Sequence, residues 1–250
     1  MSVAKSSESS LSAAPSLQRK IEGRALRSFL LTCLTWFSAV VASIPLFSVL
    51  YMLITRGGAR LNLEVFTELP PAGFETGGGF GNALVGTFVM VGIAALIAIP
   101  VGIMAAIFLA ELGPVSKLAN VARFAAKTLT GLPSILAGVF AYAAVVLTTG
   151  TYSAPAGGFA LAVLMLPIVV LTAEEAMKMV PKIMKDAAFG MGSTNTQVIW
   201  KVVLPTAMPA ILTGVMLAVA RAAGETAPLL FTALFSNYWI FQDGQFELMN

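Results

Sequence analysis

Residues 128–173 read TLTGLPSILAGVFAYAAVVLTTGTYSAPAGGFALAVLMLPIVVLTA, 46 positions without a single Asp, Glu, Lys or Arg. A bilayer's hydrocarbon core takes about 20 apolar residues per helical crossing, so this stretch is too long for one crossing and long enough for two. A turn belongs between them, and residues 149–158, with Gly150, Pro155, Gly157 and Gly158, have the composition of one. The reading places one span near 129–148 and the next near 158–174, the latter short and carrying Pro167.

Four more stretches free of formal charge flank this one, at 28–55, 76–110, 202–220 and 226–242, and the five together hold 145 of the 250 residues. Only 27 residues are charged and 58% are hydrophobic, against roughly one quarter charged in soluble chains. The fold class is therefore all-α, a polytopic membrane protein with a helical bundle of five predicted transmembrane helices. Span 1 is Ser28 to Ile54, tolerating Pro45; span 2 is Asn82 to Ala110, kinkable at Pro100 and closed by Glu111, Pro114 and Lys117. Span 5 runs from about Pro205 to Phe235, interrupted by Arg221, Gly224, Glu225 and Pro228. Residues 1–27, rich in Ser and Ala and lacking an apolar core or cleavage site, read as a disordered cytoplasmic tail and not as a signal peptide. Residues 28–250 form the transmembrane domain.

Basic residues orient the bundle, because short cytoplasmic loops carry the Lys and Arg excess. The tail holds Lys5, Arg19, Lys20, Arg24 and Arg27; the loop after span 2 holds Lys117, Arg123 and Lys127; the 174–204 loop holds Lys178, Lys182, Lys185 and Lys201. Twelve of the fifteen thus share one side, which puts the N-terminus in the cytoplasm. Scattered in this way, they form no nucleic-acid footprint. The absence of histidine excludes imidazole catalysis and His metal ligands. Cys33, inside span 1, reads as a small buried apolar residue. Gly77-Gly78-Gly79 lacks a following Gly-Lys-Ser/Thr and belongs to an irregular loop between spans 1 and 2, not to a phosphate cradle.

The connector at about 174–204 is amphipathic. Gly190 and Gly192 can end a first short helix, and Thr194 with Gln197 has the spacing of a capping box opening a second. Val198, Ile199, Val202 and Val203 form an apolar face with Lys201 turned away. The expected product is helix, glycine turn and helix on the inner membrane face, and periodicity alone fits an interfacial anchor equally well.

This segment resembles the cytoplasmic motif of ABC importer permeases, Glu-Ala-Ala, three residues, Gly, nine residues, Ile, one residue, Leu-Pro. Here it reads Asp186-Ala187-Ala188, Gly192 and Val202-x-Leu204-Pro205, with Asp for Glu and Val for Ile. Arg221-Ala222-Ala223-Gly224-Glu225-Thr226-Ala227-Pro228 is similar to the phosphate-permease A-subunit family, as are Leu132-Pro133-Ser134-Ile135 with Gly138, Gly86-Thr87, and Pro100-Val101-Gly102-Ile103. The resemblance covers about residues 80–245. It implies a permease subunit of an ATP-driven phosphate importer in the bacterial inner membrane, with a second homologous permease, two ATP-binding subunits and a periplasmic phosphate-binding protein as partners, and inorganic phosphate as cargo. Asp186, Ala187, Ala188, Gly192, Leu204 and Pro205 would couple to the ATPase, with Gly192 allowing a sharp turn and the alanines a close approach. The family carries a sixth span after a loop like Phe235 to Asn250, and this sequence reaches Asn250 without one. No Gly-x-x-x-x-Gly-Lys-Ser/Thr occurs, so hydrolysis is expected on partner subunits, with no cofactor or metal on this chain.

Arg221 and Glu225 are the costly residues, since a charge near a helix centre costs about 3 kcal/mol on insertion scales. Four residues apart, they can form a structural ion pair, or with Thr226 they can line the substrate pathway, where a planar guanidinium suits phosphate. Gly214, Ala218 and Ala222 form a small-residue row suited to close helix packing. Rival functions are a permease for sulfate or molybdate, an energy-independent channel, and an intramembrane enzyme using Glu174, Glu175 and Asp186. The enzyme is disfavoured because those carboxylates are expected to be solvated among Lys178, Lys182 and Lys185.

Overall fold

The structure is a computed structural model that describes residues 14–58, 61–71, 77–239, 241–242 and 245–246, with side chains described between 24 and 239. It divides into two units, residues 1–62 and 63–250.

The first unit is helix α1, Ala14–Gly57. It starts well before Ser28, so the expected disordered tail of 1–27 is corrected over 14–27, while 1–13 lie outside the described residues. Helix formation is costly to nucleate and cheap to extend, and the apolar run lets Leu17, Gln18, Arg19 and Lys20 continue the same helix. The hydroxyls of Thr32, Thr35, Ser43 and Thr55 each donate to the carbonyl four residues back. Polar groups satisfied within the helix can be carried through hydrocarbon. Cys33 is exposed on α1, as are Phe29, Trp36 and Phe47. This corrects the buried reading of Cys33: the charge-free run 28–55 around it presents an apolar surface suited to lipid.

The second unit begins with α2 (Glu64–Thr67) and then contains α3 (Gly81–Leu112), α4 (Lys117–Thr130), α5 (Ser134–Thr149), α6 (Ala154–Lys178), α7 (Lys182–Gly190), α8 (Asn195–Ala223) and the short α9 (Leu229–Thr232). A two-residue ladder pairs Phe241–Gln242 with Gln245–Phe246. Among the described residues, four helices, three of them in this unit, are long and apolar enough to cross a membrane, and the bent pair α4 and α5 makes a fifth candidate.

Helix α6 is the centre. Much of its length between Ala156 and Met177 is buried, and α3 and α8 pack on it through glycines. A Cβ at Gly102 of α3 would stand 2.7 Å from Val169, and one at Gly214 of α8 would collide with Thr172 Oγ1. The row Gly214, Ala218, Ala222 is buried as expected, because only small residues let two backbones approach this closely. Leu161, Met165, Met177 and Ile211 fill the seam, each below 2% exposed.

Three boundaries differ from the sequence reading. The span placed at 129–148 starts at Ser134, after a 108° bend from α4. Pro133 disfavours helix at Leu132 and opens the next one at its N-cap. The turn placed at 149–158 is confined to 150–153, and α6 starts at Ala154 with Pro155 in its first turn. Ser153 caps it, its hydroxyl accepting from Ala156 N at 3.4 Å. Span 5 stops at Ala223, capped by Gly224, with Pro228 starting α9. A proline lacks the N–H needed to continue a helix through this point.

Each of α3, α5 and α8 contains one π turn, at Phe108–Leu112, Tyr142–Val146 and Ile199–Val203. In α8 the Leu204 N–H donates to Ile199 O just before Pro205. This wide turn joins the second amphipathic helix to span 5 without a break, correcting the separate surface helix read from sequence. Gly78 and Gly79 have no cradle geometry: a Cβ on Gly78 would stand 2.7 Å from Leu69 O, and Gly79 N donates to that carbonyl.

Candidate functional site: a helix–turn–helix connector, an ion-paired end and an arginine at the far end

The connector between α6 and α8 is a helix–turn–helix built as its residues dictate. Helix α7 ends in a Schellman motif: Ser193 N donates to Ala188 O at 3.2 Å and Gly192 N to Phe189 O at 2.9 Å. Gly192 sits at φ +85°, the left-handed region that side chains avoid. Gly190 is the last residue of α7 and takes no such angle. Thr194 then opens α8 with a complete capping box, Gln197 N donating to Thr194 Oγ1 and Thr194 N to Gln197 Oε1.

One face of this unit is anchored and the other is presented. Ala188, Val198, Ile199 and Val203 are buried and continuous with the core that includes Met177 and Val180. Met191 at the turn is 81% exposed, with Ile183 and Phe189 also exposed. Of the six motif residues, Asp186, Ala187 and Gly192 lie exposed on the outer face, Ala188 is buried, and Leu204 and Pro205 lie in α8 beyond its π turn. The structure sets Asp186, Ala187 and Ala188 on α7 and Gly192 in the turn that follows it, and leaves Leu204 and Pro205 to shape entry into the span.

The same end of the bundle contains an ion-pair cluster absent from the sequence reading. Arg123 of α4 donates from Nε to Glu174 Oε1 at 2.6 Å, and Lys178 pairs with the same oxygen. Arg123 also donates from Nη2 to Leu109 O at 2.7 Å and from Nη1 to Pro114 O at 2.9 Å. Lys185 of α7 pairs with Glu111 at 2.5 Å. Glu174 is 4% exposed, so the expected solvated carboxylate is corrected. A buried charge persists only when paired and hydrogen-bonded, which Arg123 and Lys178 accomplish. Glu175 and Asp186 are exposed. The available sequence signal was the Glu174/Lys178 spacing of four at the end of an apolar run; nothing local pointed to Arg123.

At the far end of α8, Arg221 occupies the last helical turn, where a cation complements the helix dipole. This corrects its placement near a span centre. Glu225 lies past the helix end, and Arg221 Nε approaches its Oε1 only to 3.8 Å. Arg221 is 52% exposed at its side chain and Glu225 20%. Thr226, exposed, borders a cavity of about 430 Å³ lined also by Asn82, Thr87, Leu229 and Trp239. Asn82 Nδ2 donates to Ser236 O at 2.5 Å, and Ser153 N to Thr232 O at 3.1 Å, tying the starts of α3 and α6 to the segment after α8.

Comparison with known proteins agrees with this architecture. Residues 98–246 match the model of the family described as binding-protein-dependent transport system inner membrane component. The chain is 42% identical over 205 residues to the phosphate transport system permease protein PstA of Haemophilus influenzae, covering 82% of this chain and 72% of that one. It is 36% identical over 225 residues to PstA 1 of Mycobacterium tuberculosis (88% and 71%) and 37% identical over 194 residues to the probable PstA of Methanocaldococcus jannaschii (78% and 68%). Among solved structures, a chain of the MetNI methionine ABC transporter in an inward-facing conformation superposes with a TM-score of 0.52 at 24% identity, covering 60% of this chain and 71% of that one, a likeness of fold alone. With the family match spanning more than half of its length and relatives this similar over most of it, the chain belongs to the binding-protein-dependent transport system inner membrane components, in the group of the PstA permease proteins.

Proposed function

We propose that this protein is a transmembrane permease subunit of an ATP-driven phosphate importer, lining part of the translocation path and hydrolysing no ATP itself. The observation that carries the reading is the rigid helix–Gly192–helix unit, buried on one face through Ala188, Val198 and Val203 and presenting Met191 and Phe189 on the other, in a chain so similar to PstA permeases. An apolar exposed turn on a fixed base is suited to sit in a cleft of another protein and move with it. The partners are a second homologous permease, two ATP-binding subunits docked on the coupling loops, and a soluble phosphate-binding protein at the opposite face. Closure of the nucleotide-bound ATPase pair displaces the coupling loops and opens the path outward; hydrolysis resets it.

The orientation follows from the basic residues, twelve of fifteen of which fall in the N-terminal segment and in the connectors around α4 and α7. The ion-paired end faces the cytoplasm, with the N-terminus, and the Arg221 end faces outward. Arg221, Glu225 and Thr226 meet the anion: a guanidinium offers a planar fork of donors that matches phosphate, and the long 3.8 Å approach to Glu225 leaves that fork available. Reconstituting the chain with its co-purifying subunits and measuring uptake of labelled phosphate tests the reading. ATP-dependent uptake that persists in excess sulfate and molybdate is expected; uptake competed fully by either, or indifferent to ATP, would replace it with another oxyanion permease or a channel.

A further inference from the structure

Among the described residues, one direct charged contact joins α7 to the end of α3, Lys185 to Glu111, across 74 positions of chain. We propose that this ion pair is the positioning link through which displacement of α7 moves the π-helical end of α3, an inference that rests on the coupling role assigned to α7.

The two sides of that π turn are held differently. On one side Arg123 donates to Leu109 O and Pro114 O while bonded to buried Glu174 of the central helix α6 and to Asn120 Oδ1 of its own helix. That side is clamped to the core through several bonds in fixed geometry. On the other side a single side chain, Lys185, reaches Glu111, and it comes from the element carrying the exposed turn. Both members are shielded, Glu111 at 11% and Lys185 at 19% side-chain exposure.

The pair is needed for more than solubility. Glu111 lies in the closing turn of a helix, where unsatisfied carbonyls disfavour a carboxylate, so Lys185 offsets both that field and the partial burial. Lys185 shares with buried Ala188 the inward face of α7, whereas Asp186 and Ala187 are exposed. A push on the outward face therefore arrives at Glu111 through the opposite one. The turn that receives it is Phe108–Leu112, where Gly113 N donates to Phe108 O across the wider π register. Such turns accommodate local rotation without dismantling the helix. Further along α3, Gly102 against Val169 admits no comparable slack. Motion entering at Glu111 is thus taken up at 108–112, as rotation of that end of α3 against its clamp.

The test uses the complete complex in proteoliposomes and reads phosphate moved per ATP hydrolysed, normalised to assembled complex. Glu111→Gln and Lys185→Met are each expected to assemble and to lower this ratio about five- to tenfold, within the usual range of coupling between sites. The exchange of Glu111→Lys with Lys185→Glu is expected to restore most of it. Single variants with the wild-type ratio overturn the proposal, as does an assembled exchange variant that stays as uncoupled as the singles. Loss of assembly in the singles also overturns it, leaving a purely structural pair. A wild-type complex that takes up no phosphate would remove the functional reading of the protein; wild-type uptake with indifferent variants removes the link alone.

Discussion

At the loop end of the bundle, Arg123 meets Glu174 and Lys185 meets Glu111 across 51 and 74 positions of chain, with all four side chains at least four-fifths shielded. At the far end, Arg221 and Glu225 are four positions apart, stand 3.8 Å from each other, and leave Arg221 half exposed with no hydrogen bond from its guanidinium among the described residues. Distance in sequence and tightness in space run together here, for a physical reason. A shielded charge must find a partner or the fold fails, so pairs between distant segments hold the helices in register. An exposed pair within one turn is screened by solvent, contributes little to stability, and stays available to a ligand.

The sharpest way to break this contrast is at its strongest point. Glu174→Leu leaves Arg123 and Lys178 without their common acceptor, and removal of one member of a buried pair costs about 3 kcal/mol or more. The expected result is a large fall in the detergent-solubilised melting temperature and in recovered protein; a variant as stable as wild type would remove the clamp from the architecture. Next is Gly192→Pro. Its φ of +85° and its N–H bond to Phe189 O are both denied to proline, at a local cost of about 3 kcal/mol confined to the turn. Membrane insertion should persist while co-purification of the ATPase subunit or its stimulated hydrolysis is lost. Unchanged assembly and uptake would reduce the connector to an anchor.

Arg221 supplies the opposite limb. Replacing Arg221→Met together with Glu225→Leu should change stability by less than about 1 kcal/mol, with the complex assembled and phosphate uptake abolished. Arg221→Lys should be impaired because an ammonium lacks the bidentate fork. Full uptake by the assembled double variant would turn the far-end pair into a mere structural contact. The smallest perturbation is labelling. In a Cys33→Ser background, single cysteines at Thr151 and Thr196, both exposed, should react with impermeant maleimide from outside and inside respectively. Ser153 is unsuitable because it is buried as the cap of α6. Labelling of Thr196 from outside in sealed right-side-out vesicles would invert the two ends.

Much of the candidate site was legible because its determinants are local. Thr194 and Gln197 cap one helix by spacing alone, Gly192 ends another by backbone freedom, and the helical spacing of Val198, Ile199 and Val203 marks a buried face. The small-residue row at Gly214, Ala218 and Ala222 likewise announces a tight helix contact, though not that Thr172 is what it meets. The pairing of Glu174 and Glu111 is not legible in the sequence for the converse reason. Their surroundings come from Arg123 and Lys185, and no periodicity within either helix reports a partner that lies on another element.

Apolar length and the distribution of charge determined by themselves that this chain crosses a membrane in helices, where the principal crossings lie, and that one connector is a capped helix–turn–helix. These are properties of segments no longer than a span, governed by hydrophobic transfer and by backbone bonds between near neighbours. Tertiary structure alone decided that α6 is the core on which α3 and α8 close, that α4 and α5 bend by 108° at Pro133, and that π turns absorb the register before Pro205 and at Glu111. It also decided which carboxylates are shielded and which arginine is left exposed. Those outcomes depend on which helix surfaces are brought together, and the free energy of a charge depends on all of its neighbours in space, most of which are remote in sequence.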